Sequence, residues 1–287
     1  MDLIRVAITE QDALARALGG LARDGAVLVQ GLVDVEFLRR LHKRMDADTE
    51  RLLEFCARIG GNPGAPGHLQ QGAPTHPPYL HRDVLAHPFV WEMARELLGP
   101  EATLMYYCGN TNCPGSGAQE VHIDQPHANA AGQPMSALSI SIPVQDMGPE
   151  NGAIELWPGT HALPTEPKVA AADLEARRAV APPIQPRARA GDVLIRNPCT
   201  WHRGVSNPSE AFRHMIAVVI HRRPKGPVDF DHSAREFVEA AGVPLNPRYG
   251  DRREEYLFGP LRWVAEARSS GPRESKPDEG ARPLVDV

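Results

Sequence analysis

The feature that most restricts the fold of this chain is a change of sequence pattern at residue 102. From there to residue 225 the chain consists of short β-branched or alternating segments, which are typical of strands. Pairs of turn-forming residues, such as Pro114-Gly115 and Pro158-Gly159, separate them. The segments are TLMYYCGN, AQEVHID, ALSISIPVQDM, GAIELWPG, DVLIRN and RHMIAVVIHRR. Many short strands at this spacing predict a mainly β domain, either a sandwich or a jelly-roll barrel.

Helical patterns precede the strand-rich region. Apolar residues recur at helical spacing over 9–23, 34–57 and 82–98. Thr9 and Asp34 are placed to cap the first two of these helices, because their side-chain oxygens can accept from free backbone N–H groups. We therefore expect a mainly β fold with flanking helices.

The remaining stretches define the domain organisation. Residues 60–80 are dense in Gly and Pro, and so long a loop inside a domain is usually functional or disordered. We interpret it as a candidate lid over a site, with a simple surface linker as the alternative. Residues 162–189 predict an insertion with one short helix. We expect a single domain over 1–266, with its β core at about 102–225, and a loose polar tail over 267–287.

Composition argues against several classes of partner. Lys and Arg number 31 and Asp and Glu 36, so the net charge of −5 disfavours broad binding to nucleic acid or to an acidic membrane. The sequence has no apolar run of about 18 residues and no basic-then-apolar leader pattern. Its four cysteines form no CxxC pair, which fits a reducing compartment. We expect a cytoplasmic protein with no nucleic-acid or membrane partner.

Two His-x-Asp triplets carry the chemical signal. His81-Arg82-Asp83 opens a helical pattern, so we interpret Asp83 as a helix cap. His122-Ile123-Asp124 lies in a strand-like segment, where residues i and i+2 point to the same face.

A third ligand would complete a metal site with His122 and Asp124. His202, which follows the buried-looking strand GDVLI, is the best candidate in the sequence. Two histidines and one carboxylate on one face leave three coordination positions open, the arrangement of non-haem Fe(II) oxygenases.

Arg213 opens the apolar segment RHMIAVVIHRR, eleven residues after His202. An arginine that enters a barrel interior is costly unless it meets an anion, and its planar guanidinium matches a carboxylate. Beside an iron site, this residue predicts a dicarboxylate or keto-acid cosubstrate.

Taken in order, these residues resemble the phytanoyl-CoA dioxygenase (PhyH) family of Fe(II)- and 2-oxoglutarate-dependent oxygenases. The resemblance covers roughly residues 10–225 and includes the opening LARDGAVLVQGLVDVEFLRRL. The matching positions are Gln119, His122, Asp124, Glu150-Asn151-Gly152-Ala153, Pro158-Gly159-Thr160-His161, Gly191-Asp192, His202 and Arg213. The resemblance implies a double-stranded β-helix, a cupin-like jelly-roll barrel with the N-terminal helices packed on one side.

The resemblance also implies roles for individual residues. His122, Asp124 and His202 match the iron ligands, Arg213 the residue that binds the distal carboxylate of 2-oxoglutarate, and Gln119 a further contact to that cosubstrate. Because related halogenases replace the carboxylate ligand with a small residue, Asp124 favours hydroxylation.

One position departs from the family pattern. Ile154 stands where members often have Thr, which puts a secondary contact to 2-oxoglutarate in doubt.

The function implied is oxidation of an unactivated C–H bond of a small metabolite or natural product by O2, with succinate and CO2 as co-products. Hydroxylation is the expected outcome; desaturation, rearrangement and endoperoxide formation stay open. A cupin-type isomerase or dioxygenase without 2-oxoglutarate is an alternative, as is a binding protein with a vestigial triad. Substrate contacts are expected from His127, Tyr107, Asn110 and Gln70. The oligomeric state is open, with a homodimer as one option.

Overall fold

The structure, a computed structural model of the chain, describes residues 3–61, 65–125, 135–164, 167–224, 226–259 and 261. Its strands are β1 (Arg5–Ala7), β2 (Ala26–Gln30), β3 (His68–Leu69), β4 (Thr103–Asn112), β5 (Ala137–Pro143), β6 (Glu155–Leu156), β7 (Val193–Arg196), β8 (His202–Arg203), β9 (Arg213–His221), β10 (Val228–Asp231) and β11 (Pro247–Gly250). Its α-helices are α1 (Ala13–Asp24), α2 (Val35–Arg58), α3 (Arg82–Leu85), α4 (Pro88–Leu98), α5 (Ala171–Val180) and α6 (Arg235–Ala241).

Seven strands form one mixed sheet, in the order β1-β2-β7-β5-β9-β4-β3. Strands β1 and β2 are parallel, and the other neighbours are antiparallel. Two short sheets pair β6 with β8 and β10 with β11. Over the described part of the chain the expected combination of sheet and helices is present, and the strands do not close into a barrel.

The main core lies between one face of the large sheet and helices α1, α2 and α4. Phe37, Leu41 and Met45 of α2 and Trp91 of α4 are buried there against sheet residues such as Ile216. Burial of this area drives the association of helices and sheet, at about 25 cal/mol per Å² of apolar surface. The N-terminal helices therefore occupy one side of the sheet and leave the other side for a cavity.

Helix boundaries follow local chemistry. The side chain of Asp34 accepts a hydrogen bond from Phe37 N, so the predicted cap of α2 is confirmed. The 82–98 pattern is two helices rather than one, because a residue before proline avoids the helical region and His87 precedes Pro88. His81, not Asp83, caps α3 through its Nδ1.

Two further predictions about local structure were wrong. Helix α1 begins after Asp12, with no side-chain cap from Thr9. The segment AQEVHID is not a strand: His122 forms only isolated bridges, to His202 and to Lys168. Its neighbour β8 is two residues long, so it offers too few backbone groups for a longer ladder.

The 60–80 segment is anchored to the large sheet. Strand β3 pairs with β4 at the sheet edge, and Gln71 just beyond it is completely buried. The role of this segment as a lid stays a prediction. The 162–189 insertion contains α5 as expected, and the predicted tail at 267–287 lies outside the described residues. Within the described residues, no helix has the length and apolar character needed to cross a bilayer.

Gly25 ends α1 and makes a close approach that no other residue allows. Its φ is 75°, and a Cβ there would meet Thr200 Oγ1 at 2.4 Å and His161 Nδ1 at 2.6 Å. We predict that Gly25→Ala lowers the free energy of unfolding by at least about 2 kcal/mol, measured by urea denaturation. Gly19→Ala is the matched control: it lies in the same helix with open space around it, so it stabilises by about 1 kcal/mol or less. Equal stability of the two variants would contradict this account.

Candidate active site

A cavity of about 510 Å³ lies between the large sheet and the short β6–β8 sheet. From the large sheet, Ser139, Ser141, Met215 and Ala217 line its floor. The other lining residues are Ala65, His68, Leu69, Gln70, Tyr106, Gly109, Asn110, Gln119, His122, Asp124, Ile140, Ile154, Arg196, His202, Gly204, Arg213, Val218, Val219 and Leu261. The serine and alanine side chains of this floor leave volume for a ligand.

The three predicted metal ligands meet at this cavity. The Oδ1 atom of Asp124 lies 3.3 Å from His202 Nε2 and 4.0 Å from His122 Nε2. The two imidazole centroids are 4.4 Å apart, and the three potential ligand atoms all lie within 4.8 Å of one another. This geometry fits a single metal ion with two histidines and one carboxylate on one side.

Backbone hydrogen bonds orient both imidazoles for metal binding. His122 Nδ1 lies 2.8 Å from the carbonyl oxygen of Glu120, and His202 Nδ1 lies 2.9 Å from that of Thr200. A carbonyl oxygen only accepts, so each Nδ1 carries the proton and each Nε2 has a free lone pair. Burial, with a smaller effect of His202, lowers the pKa of His122 to about 4, which keeps it neutral at pH 7.

Arg196, at the end of β7, binds the carboxylate ligand. Its Nη2 lies 2.5 Å from Asp124 Oδ2, the oxygen that faces away from the imidazoles. Burial raises the pKa of Asp124, but the positive charge of Arg196 lowers it by more, so the pKa ends well below its usual range. The carboxylate is therefore ionised and held in place.

Arg196 was not among the residues predicted from sequence. The signal was present, because a charge inside the apolar run VLIR must have a partner when the strand is buried. The Nε and Nη1 atoms of Arg196 are also buried and have no hydrogen-bond partner among the described residues.

Arg213 points into the same cavity, as the sequence predicts. Its side chain is 3% exposed; its Nη1 donates to Asn110 Oδ1 at 3.1 Å, and its Nε has no partner in the described residues. None of the ion pairs in the described part of the chain includes Arg213. Burial lowers its pKa to about 10, so the guanidinium remains charged at pH 7, and no carboxylate of the described residues pairs with it.

Some of the other predicted contact residues line the cavity, and one lies outside the described residues. Gln119, Asn110 and Gln70 line the cavity; Gln119 Oε1 accepts from Gly204 N at 2.7 Å. Ile154 lines it too and brings no hydrogen-bonding group. His127 lies outside the described residues.

Tyr107 does not reach the cavity, and this prediction was wrong. Its ring stacks on Phe230, 6.4 Å away between centroids, on the other face of β4. Tyr106 lines the cavity instead, and its hydroxyl accepts from Gln70 Nε2 at 3.0 Å. The register of β4 against β9 shifts between Leu104 and Tyr106, so the irregularity decides which tyrosine faces the ligand.

Comparison with known families gives an independent result. The model of the family described as phytanoyl-CoA dioxygenase (PhyH) matches residues 21–215. This range contains all three metal-ligand candidates, Arg196 and Arg213.

Several curated proteins are similar to the chain. Dioxygenase aneA of Aspergillus aculeatus is 25% identical over 268 residues, which is 88% of this chain and 87% of that protein. Dioxygenase cdmD of Talaromyces verruculosus is 24% identical over 77% of this chain and 78% of its own length. Dioxygenase cdmA of the same fungus is 29% identical over 44% of this chain and 43% of its own length.

Solved structures share the fold. AviO1 from Streptomyces viridochromogenes Tue57 superposes with a TM-score of 0.53 at 20% identity, covering 74% of this chain and 96% of that one. EvdMO1 gives a TM-score of 0.51 at 20% identity, covering 72% of this chain and 50% of that one. At this identity the likeness concerns the fold alone.

We predict that Arg196→Met weakens metal binding by about 10- to 100-fold, as loss of a hydrogen-bond partner of a metal ligand does elsewhere. Without Arg196, burial favours the protonated form of Asp124 and its orientation is lost. The dissociation constant of Fe(II), measured anaerobically, tests this. Arg203→Met is the control, since Arg203 lies in β8 beside His202 but pairs with Glu155. An unchanged constant in Arg196→Met would show that the pair does not support the metal ligand.

Proposed function

Because this chain belongs to the phytanoyl-CoA dioxygenase family, we propose that it is an Fe(II)- and 2-oxoglutarate-dependent dioxygenase that hydroxylates an unactivated C–H bond of a small metabolite or natural product. The observation that carries the proposal is the pairing, in one cavity, of a candidate metal-binding triad with an arginine that has no anionic partner among the described residues. The similar fungal proteins aneA and cdmD are also named dioxygenases.

The donor set fits Fe(II). His122, Asp124 and His202 offer two neutral imidazole nitrogens and one carboxylate oxygen, which suit this ion and leave coordination positions free. Iron bound there supplies activation of dioxygen for oxidation of the substrate. The protein's part is to hold the ligands in one orientation and to keep the site enclosed.

Arg213 fits the distal carboxylate of 2-oxoglutarate. The guanidinium is buried and charged, and its Nε has no partner among the described residues, so an anion relieves the cost of its burial. Asn110 holds the guanidinium from one side. Gln119, whose Oε1 is occupied by Gly204 N, has amide hydrogens left to donate to the same cosubstrate.

We further propose that the two sheets around the cavity are the two halves of a double-stranded β-helix. The short β6–β8 sheet is extended by isolated bridges from His202 to His122 and from Leu156 to Ile184. Ala65, His68 and Gln70 of the 60–80 segment line the cavity, which supports a lid role. A lid over this opening would exclude water once a small-molecule substrate is bound.

The cupin alternative differs in whether the cavity needs a positive charge. A cupin-type enzyme without 2-oxoglutarate has no use for a buried guanidinium without a carboxylate. The charge on Arg213 therefore favours the cosubstrate-dependent reaction. Desaturation, rearrangement and endoperoxide formation use the same site and differ in how the substrate lies.

We predict that anaerobic addition of Fe(II) and then 2-oxoglutarate to the metal-free protein produces the weak visible charge-transfer band of the chelate. The band appears in the wild type and is absent in His122→Ala and His202→Ala, which lack a metal ligand. Iron binding without a band would support the cupin alternative. Absence of iron binding would contradict the triad assignment.

We predict that Arg213→Met raises the 2-oxoglutarate concentration needed for half of the band by roughly 10- to 100-fold, the value of one charged hydrogen-bonded pair. The Fe(II) dissociation constant stays the same, because Arg213 is not a metal ligand. Arg223→Met is the control, an exposed arginine just beyond the same strand. An unchanged 2-oxoglutarate requirement in Arg213→Met would exclude it from cosubstrate binding.

A further inference from the structure

A second group of two histidines and one carboxylate lies on the opposite face of the large sheet, away from the cavity. His42 and Asp46 are one turn apart on α2, and His214 is the second residue of β9, next to Arg213. The imidazole of His214 is completely buried, whereas the side chains of His42 and Asp46 are 35% and 48% exposed. The group is thus built into the core but reachable from solvent.

Its distances match a metal site. His214 Nε2 lies 2.9 Å from Asp46 Oδ1, and His42 Nε2 lies 3.8 Å from Asp46 Oδ2. Ligand atoms about 2.0–2.1 Å from a tetrahedral ion are separated by about 3.3 Å, which lies between these two values. Small movements of two half-exposed side chains would close the shell.

A buried chain of hydrogen bonds fixes where the proton on His214 sits. Gln71 Nε2 donates to the carbonyl of Met45, so Gln71 Oε1 is the atom that faces Thr111. The Thr111 hydroxyl has one proton and lies 2.6 Å from Gln71 Oε1, which can only accept. That proton goes to Gln71. Thr111 Oγ1, 2.8 Å from His214 Nδ1, must then accept from it, so Nδ1 carries the imidazole proton.

The other ring nitrogen of His214, Nε2, is then unprotonated. With its proton on Nδ1, neutral His214 presents a lone pair at Nε2, 2.9 Å from a carboxylate oxygen of Asp46. Two acceptors at this distance repel each other unless a cation or a proton lies between them.

We propose that His42, Asp46 and His214 bind a divalent transition-metal ion of the Zn²⁺ type. Two imidazole nitrogens and one carboxylate suit zinc, with water in the fourth position at the exposed side. Bound metal would join α2 to β9 at the residue next to Arg213. It would act as a structural link, stabilising the folded state by an amount that rises with the ratio of free metal concentration to its dissociation constant.

Zinc stoichiometry tests the proposal by a readout independent of turnover. Metal-free protein is titrated with Zn²⁺ by calorimetry, and retained metal is counted by mass spectrometry after desalting. We expect His42→Ala to hold one equivalent fewer than the wild type, and His42→Ala/His122→Ala to hold one fewer than His122→Ala. His81→Ala is the matched control: His81 also lies near a carboxylate, at 3.4 Å from Asp83, but is in neither triad, so it retains the wild-type content. Equal zinc content in His42→Ala and wild type would overturn the proposal.

Asp46→Asn separates a metal site from a simple ion pair. The amide can donate to the Nε2 lone pair of His214, so it replaces a repulsive contact by a hydrogen bond while removing the charged ligand. Metal-free Asp46→Asn should therefore melt at a higher temperature than the metal-free wild type. Zn²⁺ should raise the Tm of the wild type by more than that of Asp46→Asn, because the first triad is intact in both proteins and only the wild type has the second. If His214 is an imidazolium paired with Asp46, the outcome differs: metal-free Asp46→Asn melts lower than the wild type, and Zn²⁺ shifts the Tm of both proteins by the same amount. Because the first triad is intact in both proteins, failure of this test leaves the proposed function untouched.

Discussion

Strand β9 is buried on both faces, and the rest of the structure depends on that constraint. Arg213, Met215 and Ala217 line the cavity, whereas Ile216 and Ile220 lie in the core beneath the helices. A shift of one residue would send the apolar set into the cavity and the guanidinium into the core. Since burial of an uncompensated charge costs several kcal/mol, the register is strongly specified. The position of the cavity follows from the alternation along this one strand.

The charge of the cavity explains which ligand it favours. Among its described lining residues, Arg196, Arg213 and Asp124 are fully charged, so two guanidinium groups face one carboxylate. Arg196 is engaged by Asp124, and the remaining positive charge is that of Arg213. A metal cation increases the excess, which only an anionic ligand can offset. In the proposed function, 2-oxoglutarate would supply two negative charges, one for the metal and one for Arg213.

The sequence predicted what depends on short-range pattern. Helical spacing placed α2 and its cap at Asp34 correctly, because a helix and its N-terminal cap are set by neighbours in the chain. The i, i+2 spacing brought His122 and Asp124 together although their segment is not a strand, since an isolated bridge extends the backbone enough. The prediction that Tyr107 contacts the substrate was wrong because one irregularity in β4 decides which tyrosine faces the cavity. No residue pattern in the sequence predicts that irregularity.

What sequence could not provide is proximity between distant segments. Arg196 meets Asp124 across 72 residues, and His214 meets Asp46 across 168, so neither pair leaves a local signal. The role of each pair becomes clear only from the hydrogen-bond and ion-pair partners of its individual atoms. Two adjacent residues of β9 then differ in the ligand that would complete their contacts: in the described part of the chain Arg213 lacks an anion, and His214 lacks a cation. Among the described residues Arg213 has a positive charge with no anion, and His214 directs a lone pair at a carboxylate oxygen. Strand alternation separates these needs onto two faces, so an anion satisfies one and a cation the other.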